Sequence, residues 1–221
     1  MSTTFLGNAL IAELLADPVA FKERGRAYQL LEEYFAGLPV ETLRPLLNHE
    51  NTYVRHAAVW VTEELGQQAS SLLDDAIPLI TSEDRFLSYH GLEIAIACAV
   101  GKYADRFLHV ALALDSADDV IRALAMRLAT RADVAQLQAA ARAAESNSKV
   151  NDVHRRGLSL LASCELRGAE DVRQMLLQSD AVARMYGAIA AKRLRRNQPE
   201  LLQLAAGLSD PNISRFANEA A

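Results

Sequence analysis

A basic residue followed three places later by a small residue recurs along the chain at an almost constant interval. The pattern is complete at five places and half kept at two, and the seven places are Arg24/Ala27, Arg55/Ala58, Ser88/Gly91, Arg122/Ala125, His154/Gly157, Arg184/Gly187 and Arg215/Asn218. Their first positions lie 31, 33, 34, 32, 30 and 31 residues apart. A period of this length is typical of a solenoid, in which each unit buries its apolar face only against its neighbours. We therefore predict a single elongated domain over residues 1–221.

The composition favours α-helices over β-strands. Apolar residues make up 51% of the chain and aromatic residues only 6%, a balance that suits closely packed helices better than a sheet core. An apolar stripe at helical spacing accompanies the repeating positions, for example Val54, Ala58, Val61 and Leu65. The sequence thus predicts an all-α fold.

Short clusters of helix-starting residues precede the repeating positions. They are Asp17-Pro18, Glu50-Asn51-Thr52, Ser82-Glu83-Asp84, Asp118-Asp119, Asn151-Asp152, Ser179-Asp180 and Asp210-Pro211. Each cluster predicts a helix start, because Asp, Asn and Ser side chains accept hydrogen bonds from the first N–H groups of a helix.

Each unit has room for a second helix before the next helix start. The glycines placed to end the preceding helix are Gly37, Gly66, Gly101 and Gly168. The additional helices are predicted over residues 40–47, 69–80, 103–114, 134–144, 172–177 and 199–206.

This alternation of two helices resembles the HEAT-like repeat family. Residues 51–58, 118–125 and 180–187 look like the D-x-x-V-R-x-x-A core of that family. The resemblance covers the whole chain and implies a right-handed α-α superhelix of about seven helix pairs. It also implies that a kink at Pro78 is tolerated and that the repeating arginines are structural. It is specific for the fold and leaves the function open.

The charge balance argues against general nucleic-acid binding. The net charge is −5, the wrong sign for a protein that binds mainly through phosphates. Residues 1–110 carry 15 acidic and 8 basic side chains, whereas residues 111–221 carry 13 and 15, so the C-terminal half can still attract an anionic surface. The basic run at 192–196 is interpreted as a solvated helix end that complements the helix dipole.

The two cysteines and the N-terminus indicate a reducing compartment. Cys98 and Cys164 fall in helical apolar patterns, so we expect small core residues and neither a disulfide nor a zinc site. Glu13 and Asp17 interrupt the apolar start before it can resemble an export signal. We expect a soluble, cytoplasmic protein with no membrane partner.

No recognised catalytic pattern occurs in the sequence. The chain lacks a glycine-rich phosphate loop, a GxSxG elbow and an HExxH helix. His49-Glu50 begins like HExxH, but Tyr53 stands where the second histidine is needed. Deoxyhypusine hydroxylases, which also have HEAT-type repeats, build a di-iron site from several His-Glu dipeptides, and this chain has one. We predict a protein that is not an enzyme and that uses no metal or cofactor.

The second helix of each pair usually lines the concave face of a HEAT-type protein. Positions one, five and eight residues after the repeating basic residue share one side of that helix, and we expect them to be exposed there. From these positions we predict the partner-binding residues His56, Trp60, Glu63, Tyr89, Glu93, Arg127, Arg155 and Met185. Aromatic, Met and Arg residues beside charges are typical of protein interfaces. Trp60 is as compatible with packing between helices as with a binding role.

These observations favour a non-catalytic protein that binds another protein. The resemblance suggests a bacterial inhibitor or adaptor, such as an immunity protein that neutralises a toxin, and the N-terminal excess of acid suits a basic effector. The second hypothesis is a DNA-binding or DNA-repair protein similar to the HEAT-like alkylpurine glycosylases. The residues that would serve its groove are Trp60, Tyr89, Glu93 and Arg127. Lyase-like repeat proteins that handle bilins are a third possibility, and no residue pattern here matches them.

Overall fold

The computed structural model describes residues 3–164 and 168–219, and every regular element in these ranges is a helix. No β-strand occurs there, which confirms the all-α prediction. Contacts divide the chain into two compact units, an N-terminal unit (Met1–Val100) and a C-terminal unit (Gly101–Ala221). A single long repeat array can also divide into compact units in this way, because each repeat contacts only its neighbours. The single domain over residues 1–221 therefore stays a prediction.

The N-terminal unit is built around α5. Its α-helices are α1 (Thr3–Ala16), α2 (Pro18–Glu23), α3 (Arg26–Phe35), α4 (Arg44–Leu47), α5 (Thr52–Leu65), α6 (Leu73–Ala76) and α7 (Arg85–Cys98), and its 3-10 segments are Val40–Leu43, Gly66–Leu72 and Ile77–Thr81. Helix α5 packs against α3, α4 and α7. Leu30 of α3, Val61 of α5 and Leu87 of α7 are completely buried, and so is Cys98, as predicted for a small core residue.

The C-terminal unit is built around α13. Its α-helices are α8 (Leu108–Leu112), α9 (Asp119–Arg131), α10 (Val134–Ser146), α11 (Asp152–Ser163), α12 (Ala169–Leu176), α13 (Ala181–Arg193), α14 (Pro199–Ala206) and α15 (Pro211–Asn218), and its 3-10 segments are Gly101–Phe107 and Ala113–Asp115. Helix α13 packs against α9, α11, α12, α14 and α15. Most of its side chains are buried as a result, which is expected of a helix surrounded by others.

All seven predicted helix starts are helix starts in the structure. The residues that cap them through a side-chain oxygen are Asp17, Asn51, Asp84, Asp118, Asn151, Asp180 and Asp210. The predicted helix ends are right in part. Gly66 ends α5 with a φ of 54°, which favours glycine, whereas Gly168 is the extended N-cap of α12 with a φ of −72°. The prediction is wrong at Gly168 because α11 already ends at Ser163.

Three of the predicted additional helices are not continuous α-helices. The segments predicted over residues 40–47, 69–80 and 103–114 combine short α-helices (α4, α6 and α8) with 3-10 turns. Pro78 lies in the 3-10 segment that follows α6, where its missing N–H and fixed φ interrupt the α-helical bonding. The helix predicted over residues 199–206, by contrast, is α14.

The repeating arginine ties its helix to the turn before it and to the next unit. Arg184 of α13 donates hydrogen bonds to the carbonyls of Gln178 and Ser179, at 3.1 and 2.7 Å. Its guanidinium also lies 3.3 Å from the carboxylate of Asp210, the N-cap of α15. Arg122 of α9 donates to a carbonyl of its preceding turn in the same way. These contacts give both arginines a structural role.

Ser88 departs from the repeat but serves the same purpose in α7. Its hydroxyl donates a hydrogen bond to the carbonyl of Ile80 at 2.6 Å. The two segments approach closely, since a Cβ at Gly91 would lie 3.1 Å from the backbone nitrogen of Ile80. Similarly, a Cβ at Gly187 would lie 2.7 Å from the nitrogen of Leu176. The small residue of the repeat therefore allows close helix contact.

The interpretation of the basic run at 192–196 as a solvated helix end is wrong for its first two residues. Lys192 is only 4% exposed. The three carbonyls that accept hydrogen bonds from Arg193 belong to Ala129, Thr130 and Ala132, at 3.3, 2.9 and 2.7 Å. These carbonyls lie at the C-terminal end of α9, so the cation complements the dipole of a neighbouring helix. Burial follows because α13 packs against both α9 and α15.

Candidate functional site

A continuous row of rings crosses from α5 to α7 in the N-terminal unit. In order along this ring row, the residues are Tyr53, His56, Phe86, His90 and Tyr89. The centroids of successive rings lie 6.2, 4.4, 4.1 and 5.5 Å apart, with tilted or edge-on planes. The two edge-on pairs, Tyr53–His56 and Tyr89–His90, have favourable aromatic geometries, and Phe86 is in close contact with both histidine rings. Tyr53 and Phe86 remain 43% and 40% exposed, so the row presents apolar ring surface to solvent.

Two histidine–carboxylate pairs hold the ring row in place. Nε2 of His56 on α5 lies 2.7 Å from Oδ2 of Asp84, the N-cap of α7. In the opposite direction, Nδ1 of His90 on α7 contacts Oε2 of Glu63 on α5. Burial opposes the ionisation of Asp84, but the hydrogen bond and charge of His56 outweigh it, so the pKa of Asp84 lies below its ordinary value. Each imidazole is therefore held by its own carboxylate, His56 by Asp84 and His90 by Glu63.

Trp60 forms a second aromatic contact that does not include the ring row. Its ring lies 5.8 Å, centroid to centroid, from that of Tyr28 on α3. Tyr28 is 64% exposed, whereas Trp60 is half-buried between α3 and α5. Glu93 lies one turn after Tyr89 on α7 and is also half-buried. The predicted residues that the ring row and its pairs bring together are His56, Glu63 and Tyr89.

A groove bounded by α9, α13 and α15 in the C-terminal unit is lined by many more basic than acidic side chains. The groove consists of three cavities of about 210, 360 and 370 Å³. They adjoin one another, since Arg127 lines both the first and the second cavity and Arg131 lines both the second and the third. Its basic lining residues are Arg122, Arg127, Arg131, Lys192, Arg193, Arg195, Arg196 and Arg215, and its acidic lining residues are Asp119 and Glu219. We call this the basic groove.

The two carboxylates occupy only part of the basic groove. Glu219 lies 3.9 Å from Arg127, and Asp119 pairs with Arg122. In the described part of the chain, no carboxylate forms an ion pair with the arginines at 131, 195 and 215. The groove therefore keeps unneutralised positive charge.

Lys192 lines the basic groove but is held by the protein. Its Nζ donates a hydrogen bond to the carbonyl of Phe216 at 2.6 Å and lies 4.3 Å from the centroid of the Phe216 ring. Burial lowers the pKa of Lys192 from its ordinary value; the Glu219 carboxylate opposes this shift, while Arg195 and Arg127 add to it. The ammonium group is therefore positioned by Phe216, and the side chain is almost completely shielded from solvent.

The predicted residues in the C-terminal unit have different surroundings. Arg127 is exposed in the basic groove. Met185 lines the same groove but is only 5% exposed, so the expectation that it is an exposed position is wrong, because α13 is enclosed by other helices. Arg155 donates from Nε to the carbonyl of Ala144 at 3.3 Å and thereby caps the end of α10. A role in partner binding stays a prediction for all three residues.

His154 occupies the repeating basic position of its unit and forms hydrogen bonds with Asp115 and Tyr186 inside the protein. Its Nε2 lies 2.8 Å from Oδ2 of Asp115 and its Nδ1 lies 2.8 Å from the hydroxyl of Tyr186. Burial, with the charge of Asp115, raises the pKa of Tyr186, so the phenol stays protonated in its hydrogen bond with Nδ1. Because His154 and Tyr186 are completely buried, we assign this triad a structural role in joining α11 to α13.

Sequence reasoning missed Tyr53, Phe86 and Asp84 as members of the site. A signal was present, because Tyr53 and Phe86 both lie two residues before a repeating position. Val120 has the same register and is 43% exposed. The position two residues before the repeating one is therefore an exposed apolar site in three consecutive units.

No protein-family model matches the sequence, and a search of curated proteins finds no similar chain. Among the helices of residues 3–164 and 168–219, none has the length and apolar character needed to cross a bilayer. Within the same ranges, His, Cys, Asp and Glu side chains form no group of three or more that could hold a metal ion. The ring row and the basic groove are the two surface features of the described residues that indicate a binding function.

Proposed function

We propose that this protein is a non-catalytic HEAT-like repeat protein, a right-handed superhelix of about seven helix pairs, that binds a partner protein through α5 and α7. The pairing is supported by the packing of α4 on α5, α10 on α11, α12 on α13 and α14 on α15. It is also supported by the seven capped helix starts at the repeat period. The partner-binding residues of this proposal include His56, Glu63 and Tyr89 from the sequence pattern.

The ring row is the observation that carries the proposal. Rigid aromatic side chains bury large apolar areas on binding and lose little conformational entropy, which makes them frequent anchors of protein interfaces. Here Tyr53 and Phe86 are exposed and contact His56 and His90, whose imidazoles are paired with carboxylates. A surface held in this way needs little rearrangement when a partner binds.

Within this class, we favour a bacterial inhibitor or adaptor, such as an immunity protein that neutralises a toxin. Asp84 and Glu63 flank the ring row, and residues 1–110 carry a net excess of seven acidic side chains, from 15 acidic and 8 basic. Acids around an aromatic centre suit a basic effector and increase its association rate.

DNA binding is the second candidate, and the basic groove is the observation that favours it. Grooves that follow a nucleic-acid backbone neutralise several phosphates with Lys and Arg. Among the residues expected for a glycosylase-like groove, Arg127 lies in the basic groove and the other three, Trp60, Tyr89 and Glu93, belong to the N-terminal unit.

The first test is capture of the partner by the tagged full-length chain from a lysate of the native organism, at two salt concentrations and with nuclease. We expect one stoichiometric, nuclease-resistant protein. Replacing Tyr53 and Phe86 together by alanine should weaken its binding by about 2 kcal/mol or more, roughly thirtyfold. Phe35→Ala, which removes a 56% exposed ring of α3 outside the ring row, is the matched control.

Two results would contradict the proposal. One is full affinity of the Tyr53→Ala/Phe86→Ala variant with an unchanged melting temperature, because the ring row would then not be the interface. The other is recovery of nucleic acid alone, which would favour the second candidate. Co-expression with effectors encoded beside the gene tests the immunity function directly, since protection of the cells is expected for the cognate effector.

A further inference from the structure

We propose that the basic groove is a second recognition site and that it binds an acidic segment of a protein. This inference rests on the proposed function as a protein-binding module and identifies the chemistry of a second contact. The site lies entirely within the C-terminal unit and includes none of the ring-row residues, so the two surfaces can be tested separately.

Three of the basic residues that line the groove are spaced along helix α9. Arg122, Arg127 and Arg131 lie on this helix, and at about 1.5 Å per residue they span roughly 13 Å. Arg195 and Lys192 face the same cavity as Arg127 and Arg131. A segment of about four extended residues has this length, at about 3.3 Å per residue.

The carboxylates already in the groove show which chemistry it accommodates. Glu219 lies 3.9 Å from Arg127, and Asp119 pairs with Arg122. Guanidinium groups bind carboxylates through paired hydrogen bonds, and Arg131 and Arg195 have no ion-pair partner among the described residues. A further carboxylate therefore finds donors that no carboxylate of residues 3–164 and 168–219 uses.

Acidic peptide is favoured over nucleic acid by two properties of the lining. Single-stranded nucleic acid is usually held by rings on which bases stack, and the ring in the lining of these cavities, Phe216, is only 3% exposed. Asp119 and Glu219 also repel a continuous phosphate backbone, whereas a peptide can place its acids between them.

The test is fluorescence anisotropy of the full-length protein with a labelled twelve-residue peptide rich in Glu and Asp. The comparison probes are the same peptide with Gln and Asn in place of the acids, and a labelled DNA duplex of twelve base pairs. We expect saturable binding of the acidic peptide, about tenfold or more weaker binding of the neutral peptide, and weaker binding of the duplex.

Matched variants locate the site. Arg127→Gln with Arg131→Gln should weaken binding of the acidic peptide about tenfold or more. The control variant Arg142→Gln with Lys149→Gln removes the same two charges from exposed positions in and just after α10, outside the groove, and should change the binding less than about twofold. All these side chains are exposed, and circular dichroism verifies that the variants fold.

Three outcomes overturn the inference: no preference for the acidic peptide, equal weakening by the control and groove variants, or tighter binding of the duplex with a steep salt dependence. The last result would assign the groove to nucleic acid. Failure here is distinguishable from failure of the proposed function, because the Tyr53→Ala/Phe86→Ala variant must bind the acidic peptide normally while losing its captured partner.

Discussion

Gly157 lies so close to the ring of Tyr186 that a Cβ at this position would overlap the ring. The hydroxyl of the same ring forms a hydrogen bond with His154, one turn earlier on α11. The two repeat positions thus act together on Tyr186. Gly157 leaves space for its ring, and His154 forms a hydrogen bond with its hydroxyl. At the residue scale, this explains why a histidine takes the repeating basic position in this unit.

Replacement of Gly157 by alanine should lower the free energy of unfolding by about 1 to 3 kcal/mol, because the added methyl group overpacks the contact with Tyr186. Gly207→Ala is the control, since a Cβ there meets no atom closer than 3.6 Å and the position is exposed at the end of α14. Urea denaturation measures both. Equal stability of the two variants would contradict the close packing at Gly157.

At the scale of elements, Asp84 serves two helices. Its carboxylate caps α7 by accepting from the N–H groups of Phe86 and Leu87, and it pairs with His56 of α5. A cap is typically worth about 1 kcal/mol, and here the same group also fixes one end of the ring row. The junction of α5 and α7 therefore depends on a charged carboxylate.

We expect Asp84→Asn to reduce the acid sensitivity of the protein. The folded-state pKa of Asp84 is lowered, so its contribution is present above the unfolded-state value of about 3.9 and is lost as the pH falls through the folded-state pKa. The variant should be less stable than the wild type at neutral pH, and the difference should shrink towards pH 2. Asn can still cap α7, so the measured change reports the charge.

The pH dependence of chemical denaturation between pH 7 and pH 2 tests this expectation. Glu83→Gln changes the adjacent, exposed carboxyl and is the control, for which a much smaller effect is expected. A stability difference between wild type and Asp84→Asn that stays constant over the whole range would mean that the carboxylate charge does not contribute.

At the scale of the whole molecule, stability is expected to be local. Most contacts of each unit are internal to it, and in repeat proteins energy is distributed over neighbouring elements. Such proteins open in parts, so a destabilising change need not affect distant helices.

Amide hydrogen exchange of the Gly157→Ala variant tests this expectation. Exchange should accelerate in α11 to α13 while the amides of α5 and α7 keep the protection of the wild type, because Gly157 packs only within the C-terminal unit. Equal acceleration in both units would instead indicate that residues 1–221 unfold as one cooperative domain.

Local features of the sequence sufficed to predict the helix starts. Asn51 and Asp180 cap their helices where the pattern placed them, because capping depends on a side chain and on amides within three residues. The burial of Lys192 was not predictable in the same way, since it depends on packing between elements distant in sequence.

The sequence by itself determined the all-helical fold, the period and the helix starts, because each follows from interactions between residues a few positions apart. The tertiary structure decided which side chains meet. His56 acquired Asp84 and Phe86 as neighbours, and Lys192 acquired Phe216, through contacts between separate helices. The ring row and the basic groove arise only when helices pack side by side, so no local pattern specifies them.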